Sequence, residues 1–302
     1  MSTEVMNENV TEVKRRSQMQ EIVRRFKKNK LAMAGLIFLL LLVIISFATT
    51  IIDIVTDNYI YDNYVIKQDL RNRLQTPSLS HPFGTDEFGR DILLRVVWGA
   101  RYSIFIGVVS MIFATIIGGI LGAISGFYGK ICDNIIMRLM DVFLAIPQML
   151  LATAIVAALG ASTFNLLLAI AISTVPTMAR TVRAQVLTIK EQEFIEAARA
   201  VGASDARIIA KYIVPNSLSP IIVQATLGVA SGILSIAGLS FVGLGINPPT
   251  PEWGSMLSNA RTYMRDSWNV TIIPGAFNML TILALNLMGG GIRDALDPRM
   301  KD

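Results

Sequence analysis

The chain has 302 residues, 53% of them hydrophobic and 16% charged, against about 25% charged in an ordinary soluble domain; the apolar residues are clumped, which excludes a soluble globular fold. One Cys (Cys132) and one His (His81) exclude an intrachain disulfide, a multi-thiolate metal site and a His-pair metal site. The net charge of +5 is not a nucleic-acid signature, because its placement tracks membrane topology.

Residues 1–30 form a polar arm carrying Lys14, Arg15, Arg16, Arg24, Arg25, Lys27, Lys28 and Lys30 against Glu4, Glu8, Glu12 and Glu21. The arm is too long for a cleavable leader and no small-residue cleavage site follows the apolar run, so that run reads as a permanent anchor. The stretch "IVRRFKKNKLAMAGL" sets a basic face against an apolar run, which suits an interfacial helix; a solvated charged arm fits equally well. Residues 31–52 then hold no charge over more than the ~20 residues a helix needs to cross a bilayer. In lipid each backbone amide must be satisfied within its own segment, so the chain reads as an all-α integral membrane protein.

Six charge-poor spans are predicted: 31–52, 103–127, 142–159, 164–178, 218–242 and 270–288, the fourth short and interrupted by Pro176. The excess of Lys and Arg puts the arm in the cytoplasm. An even number of spans returns the C-terminal tail, 291–302, to the same side. The loop 53–100 falls outside and is the more acidic, with Asp53, Asp57, Asp62, Asp69, Asp86, Glu87 and Asp91. Gly118, Gly122 and Gly126 recur every four residues in the second span, where small residues let a neighbouring backbone approach.

Between the fourth and fifth spans lies "EFIEAARAVGASDARIIAKYIVPNS", a charged insert in an otherwise apolar region. Thr188 and Glu191 match a capping box, predicting a helix from Ile189. Phe194, Ala198 and Val201 share one face at helical spacing, and Gly202 is a helix-ending residue. Ser204 or Asp205 is the expected cap of a second helix, with Ile208/Tyr212 and Ile209/Ile213 as i,i+4 pairs and Pro215 as its stop. Two short helices bent about a glycine make a compact knob that suits a protein partner; an amphipathic loop on the headgroups fits the pattern as well.

The insert's Glu196-Ala197-Ala198, Gly202 and Ile213-Val214-Pro215 resemble the "EAA…G…I-x-L-P" loop of ATP-binding-cassette importer permeases. Tyr212 stands where that pattern often has Ile, and Val214 where it has Leu; both keep the surface apolar. "HPFGTDEFGRDILLRVVWGARYSI" (81–104), "GLSFVGLGINPPTPEWGSML" (238–257) and "GGGIRDALDPRM" (289–300) look like the C-type permease of the peptide/nickel branch. Ile236, where relatives often carry Glu, and Gly290, where the tail often reads Gly-Asp-Gly, depart from it.

The resemblance implies a type I importer permease fold with its core over 101–290 and a coupling loop at 188–216 that docks on a cytoplasmic ATPase. Glu196, Ala197, Ala198, Gly202, Tyr212, Ile213 and Pro215 are the candidate docking residues. It implies a second homologous permease, two ATP-binding subunits and an extracytoplasmic solute-binding protein as partners. ATP and Mg belong on the ATPases, with no cofactor and no catalysis in this chain. Dipeptides or short oligopeptides are the expected cargo, and nickel or a metal–metallophore complex the alternative. The loops 53–99 and 245–269 would meet the binding protein, with "PPTPEW" (248–253) as a stiff, aromatic-tipped element or simply a rigid turn.

Two rivals are weaker. An ion-driven secondary transporter needs ionisable groups at membrane depth, and the spans offer almost none. Gln148, Asn165, Gln224, Asn278 and Asn286 are neutral residues that could line a path or bond within the bundle. A membrane enzyme lacks support: no G-x-x-x-x-G-K-[ST] loop occurs, and "GFYGKI" (126–131) lacks the spacing. His81, Asp86, Glu87 and Asp91 invite a metal reading, but Pro82, Gly84 and Gly89 favour a structured turn.

Overall fold

A computed structural model of the chain describes residues 18–296. The arm residues Lys14, Arg15, Arg16, Glu4, Glu8 and Glu12 and the end of the tail, 297–302, lie outside the described residues. Those described build helices joined by turns, with no strand among them. The helix α1 (Gln18–Lys28) ends at Asn29, whose side chain accepts from the Ala32 amide and so caps α2 (Lys30–Val55). The 26 residues of α2 reach about 39 Å, enough to cross a bilayer. Gly35 lets α2 lie against the Ala284 backbone, where a Cβ would meet the carbonyl oxygen at 2.7 Å.

The next helix, α3 (Ile92–Tyr128), starts well before the expected boundary at 103. Charges at Arg95 and Arg101 argue against a helix in lipid, but both are paired here. Arg95 Nε lies 3.3 Å from Asp86 and its Nη1 donates to Pro249 O. Arg101 pairs with Asp53, which also accepts from the Trp98 indole. Asp91 caps α3 by accepting from the Leu94 amide, and its other oxygen sits 2.8 Å from His81 Nδ1. Asp86 is committed to Arg90 at 2.7 Å. The acids around His81 are therefore parts of a turn, and among the described residues no three His, Cys, Asp or Glu side chains form a metal cluster.

Burial, reinforced by Asp86, raises the Glu87 carboxyl above its ordinary range. The fold thus favours neutral Glu87, a contribution present below the unfolded pKa and lost as pH rises through the folded one. Glu87→Gln is expected to raise the unfolding temperature at neutral pH and to give no gain near about pH 4, where the unfolded carboxyl also protonates; thermal unfolding at both pH values checks it.

After α3 come α4 (Lys130–Leu144), α5 (Gln148–Leu159) and α6 (Thr163–Ile189). The expected third span, 142–159, is not one straight helix: α4 and α5 meet at an 84° bend. Pro147, just before α5, has no amide to extend α4 and disfavours helical geometry at the residue before it. The fourth span does not stop near Pro176; α6 runs through it for 27 residues.

Helices α3 and α6 are parallel. Ser110 Oγ donates to Leu167 O near one end, Gly118 faces Met178, Gly126 faces Val186, and Lys190 Nζ donates to Gly126 O at the other end. The glycine stripe is a packing seam: a Cβ on Gly122 would sit 2.3 Å from Ala179 O. Two parallel spans joined in sequence require the chain to cross back between them. The bent α4–α5 pair makes that crossing, so the five long apolar helices and this broken one make six passes.

The last helices are α7 (Glu193–Ala200), α8 (Asp205–Ile208), α9 (Val214–Phe241), α10 (Trp253–Ala260) and α11 (Asn269–Leu296). The α9–α10 connection is not aromatic-tipped. Trp253 is fully buried and its indole donates to Val96 O at 2.9 Å, whereas Trp268 is the exposed aromatic of that region. Beside it Glu252 is 1% exposed and accepts from Ser103 Oγ, Ser240 Oγ and the amides of Gly254 and Ser255. Ile236 is buried with Ile106 and Leu239 in an apolar cluster, and a Cβ on Gly290 would meet open space.

Candidate docking site

The insert is held in place from beneath. Asp133, on the first turn of α4, receives two hydrogen bonds from Arg183 of α6, at 2.6 and 2.5 Å, and a third from Ser125 of α3. With Lys190 bonded to Gly126 O, this latch ties together the ends of three helices. Paired hydrogen bonds between guanidinium and carboxylate fix orientation as well as charge. Residues 133 and 183 are fifty positions apart, so no local pattern announces the latch.

The expected capping box at Thr188 does not form. Helix α6 runs to Ile189, and the Thr188 hydroxyl donates back to Ala184 O within it; a hydroxyl so engaged is not available as a cap. Helix α7 begins only at Glu193, with no side-chain cap. Packing also splits the face that Phe194, Ala198 and Val201 were expected to share. Ile195 and Ala198 face inward, while Phe194 and Val201 are 43% and 84% exposed. The exposed face therefore presents Phe194 and Val201 beside Glu193 and Glu196.

Gly202 ends α7 with φ +80°. Its amide donates to Arg199 O and that of Ala203 to Ala198 O, the paired closure that a glycine in left-handed geometry permits. Ser204 caps α8 without a side-chain bond. Pro215 does not stop the second helix: a π turn, Ile209–Ile213, carries α8 straight into α9. Proline is compatible with the first turn of a helix, where its missing amide costs nothing. In the same turn the carbonyls of Tyr212 and Ile213 accept from Asn216 Nδ2 and Ser217 Oγ, at 2.6 and 2.8 Å.

The candidate residues thus divide into two sets. Ala198 and Ile213 are buried in one cluster with Ile195, Ile208, Phe127, Met140, Val182 and Val186, with Tyr212 half-buried against it. Glu196, Ala197, Gly202 and Pro215 face out. The Arg199 guanidinium lies 5.5 Å from the Phe127 ring, bracing α7 on α3. The insert is an extension of the helix bundle whose outer surface is apolar and acidic on α7, at Phe194, Val201, Glu193 and Glu196, and carries exposed basic residues at Arg207 and Lys211. Its second half is one continuous helix with the fifth span.

The family model described as the inner membrane component of binding-protein-dependent transport systems matches residues 116–302, and one for the N-terminal transmembrane domain of oligopeptide transport permease C matches 17–77. The chain belongs to this permease family. As an importer permease it is 47% identical to the dipeptide transport system permease protein DppC of Alkalihalophilus pseudofirmus, over 93% of the chain and 90% of that relative. The permease is 42% identical to the di/tripeptide transport system permease protein DppC of Pseudomonas aeruginosa, over 95% and 94%. To the glutathione transport system permease protein GsiD of Escherichia coli it is 44% identical, over 95% and 92%. A solved structure of the MetNI methionine transporter in inward-facing form shares the fold at TM-score 0.54 and 21% identity, covering 68% of this permease and 98% of that chain.

Proposed function

We propose that this permease forms half of the path of an ATP-driven importer for dipeptides and short oligopeptides. The reading is supported chiefly by the peptide cargo named for relatives at 42–47% identity over nearly their whole length. The arm and tail lie in the cytoplasm, as the basic arm implies. The insert docks there on one of two ATPase subunits, a second permease completes the path, and a solute-binding protein meets the external loops.

The rigidity of the insert gives it a mechanical role. Nucleotide-driven closure of the ATPases moves α7 as a body, and the continuous α8–α9 helix carries that movement into the membrane. This is rigid-body switching of packed elements. Phe194 and Val201 supply an apolar contact, and Glu193 and Glu196 an acidic one.

Glu196→Lys combined with Val201→Asp is expected to cut peptide uptake at least about tenfold, a loss of roughly 1.4 kcal/mol or more in docking, while the chain still folds. Uptake of labelled dipeptide, ATP hydrolysis and co-purification of the ATPases check it. Full coupled uptake in the double variant sinks the docking role. Nickel uptake in place of peptide uptake by cells carrying the native transporter sinks the peptide cargo.

A further inference from the structure

Helix α6 has a polar face that hydrocarbon does not tolerate. Its apolar stretch of 18 residues has a mean hydropathy of 1.3, against 2.9 for that of α2. Thr174, Thr177 and Thr181 recur along one side of it, and Thr177 lies one residue from the helix midpoint. Gln148, exposed at the start of α5, donates to Thr174 Oγ1 at 3.0 Å. Nearly two turns beyond Thr174, Arg180 pairs with Asp141 of α4 at 2.7 Å, and the two side chains are 56% and 52% exposed. The α4–α5 bend thus flanks the polar strip on α6.

A charged side chain facing lipid near a span centre costs about 2.5–3.5 kcal/mol on insertion scales. Two such residues held in a half-exposed pair, beside three hydroxyls and an amide, need water on that side. Elsewhere the exposed mid-span side chains are of the opposite kind, as with Ile44, Phe47 and Ile51 on α2.

We propose that the Thr174–Thr177–Thr181 face of α6, with Gln148 and the Arg180–Asp141 pair, is the wall this chain contributes to the water-filled path. The chemistry of the wall is specific. The hydroxyl protons of Thr174 and Thr181 are donated to Ile170 O and Thr177 O, and one amide N–H of Gln148 is spent on Thr174. Thr174 and Thr181 turn lone pairs to the path, while the second Gln148 N–H and the Arg180 guanidinium keep donors there. A wall with both acceptors and donors suits the amide groups of a peptide, and the ion pair matches a zwitterion. This assignment rests on the peptide-importer reading.

The test uses the transporter assembled with its partner subunits and Cys132→Ser in this chain. Thr177→Cys, Thr181→Cys and the lipid-facing control Ile44→Cys are exposed to a charged methanethiosulfonate reagent. Thiolate forms only where water reaches, so the two α6 thiols are expected to react at least about tenfold faster than the control. Reaction is expected to block uptake of alanyl-alanine, and alanyl-alanine delivered by the binding protein to slow the reaction. Rates no faster than Ile44→Cys overturn the assignment. So does reaction in the isolated chain that vanishes on assembly, which makes the face a contact with the second permease. Reaction that leaves uptake unchanged overturns it too. Absence of dipeptide uptake by the unmodified transporter sinks the cargo reading instead, and the relative labelling rates still decide the wall.

Discussion

Gly122→Leu is expected to prevent α3 and α6 from closing, with a loss of more than about 3 kcal/mol in stability. A Cβ at this position would meet Ala179 O at 2.3 Å, Val182 Cβ at 2.9 Å and the Arg183 amide at 3.0 Å. Two of these are backbone atoms, which cannot step aside as a flexible side chain would. Parting the helices also breaks the seam at Gly118 and Gly126 and strains the Asp133–Arg183 latch beyond it. Gly119 is the control on the same helix, because a Cβ there meets nothing within 4 Å. Gly119→Leu is expected to leave the folded yield and unfolding temperature nearly unchanged. Size-exclusion profiles and thermal unfolding in detergent check both, and equal behaviour of the two variants removes the seam from the account.

Glu252→Ala is the second large effect. The carboxylate accepts four hydrogen bonds from two hydroxyls and two backbone amides while only 1% exposed. Removing it orphans all four donors and uncaps α10 at once. An unsatisfied buried polar group costs about 1–3 kcal/mol, so the variant is expected to lose on the order of 4 kcal/mol or more. That corresponds to a drop in unfolding temperature on the order of 10 °C. Glu252→Gln keeps the shape but turns an NH2 toward donors, and is expected to fall between the alanine variant and the native chain. A glutamine variant as stable as the native chain would mean that neither the charge nor the second acceptor oxygen holds the site.

Much of the architecture was legible because the bilayer imposes a one-dimensional rule. An uncharged run such as 31–52 must be a helix, whatever packs against it. The Gly118–Gly122–Gly126 spacing likewise announced a close helix contact before its partner was known. Reading failed where a charge inside a span has a distant partner. Arg95 and Arg101 belong to α3 because Asp86 and Asp53 meet them, and neither pairing leaves a local trace. It failed again where a propensity signal had a competing use: Thr188 bonds along its own helix, and Pro215 sits in a first turn that accepts it.

The same division runs through the candidate sites. The resemblance named Glu196, Gly202 and Ile213 as docking candidates, and spacing put Phe194, Ala198 and Val201 on one face of α7, but packing buries Ala198 and leaves the other two exposed. The polar strip on α6 was invisible, since the pattern does not tell a hydroxyl facing water from one bonded inside the bundle. By itself, the amino-acid order determined that this is a helical membrane protein with a charged insert between its fourth and fifth passes. Covalent neighbours and the lipid solvent suffice to decide that. Which side of each helix meets core, water or a partner was decided only by tertiary packing, because it depends on contacts between residues as far apart as Asp133 and Arg183 or Ser103 and Glu252.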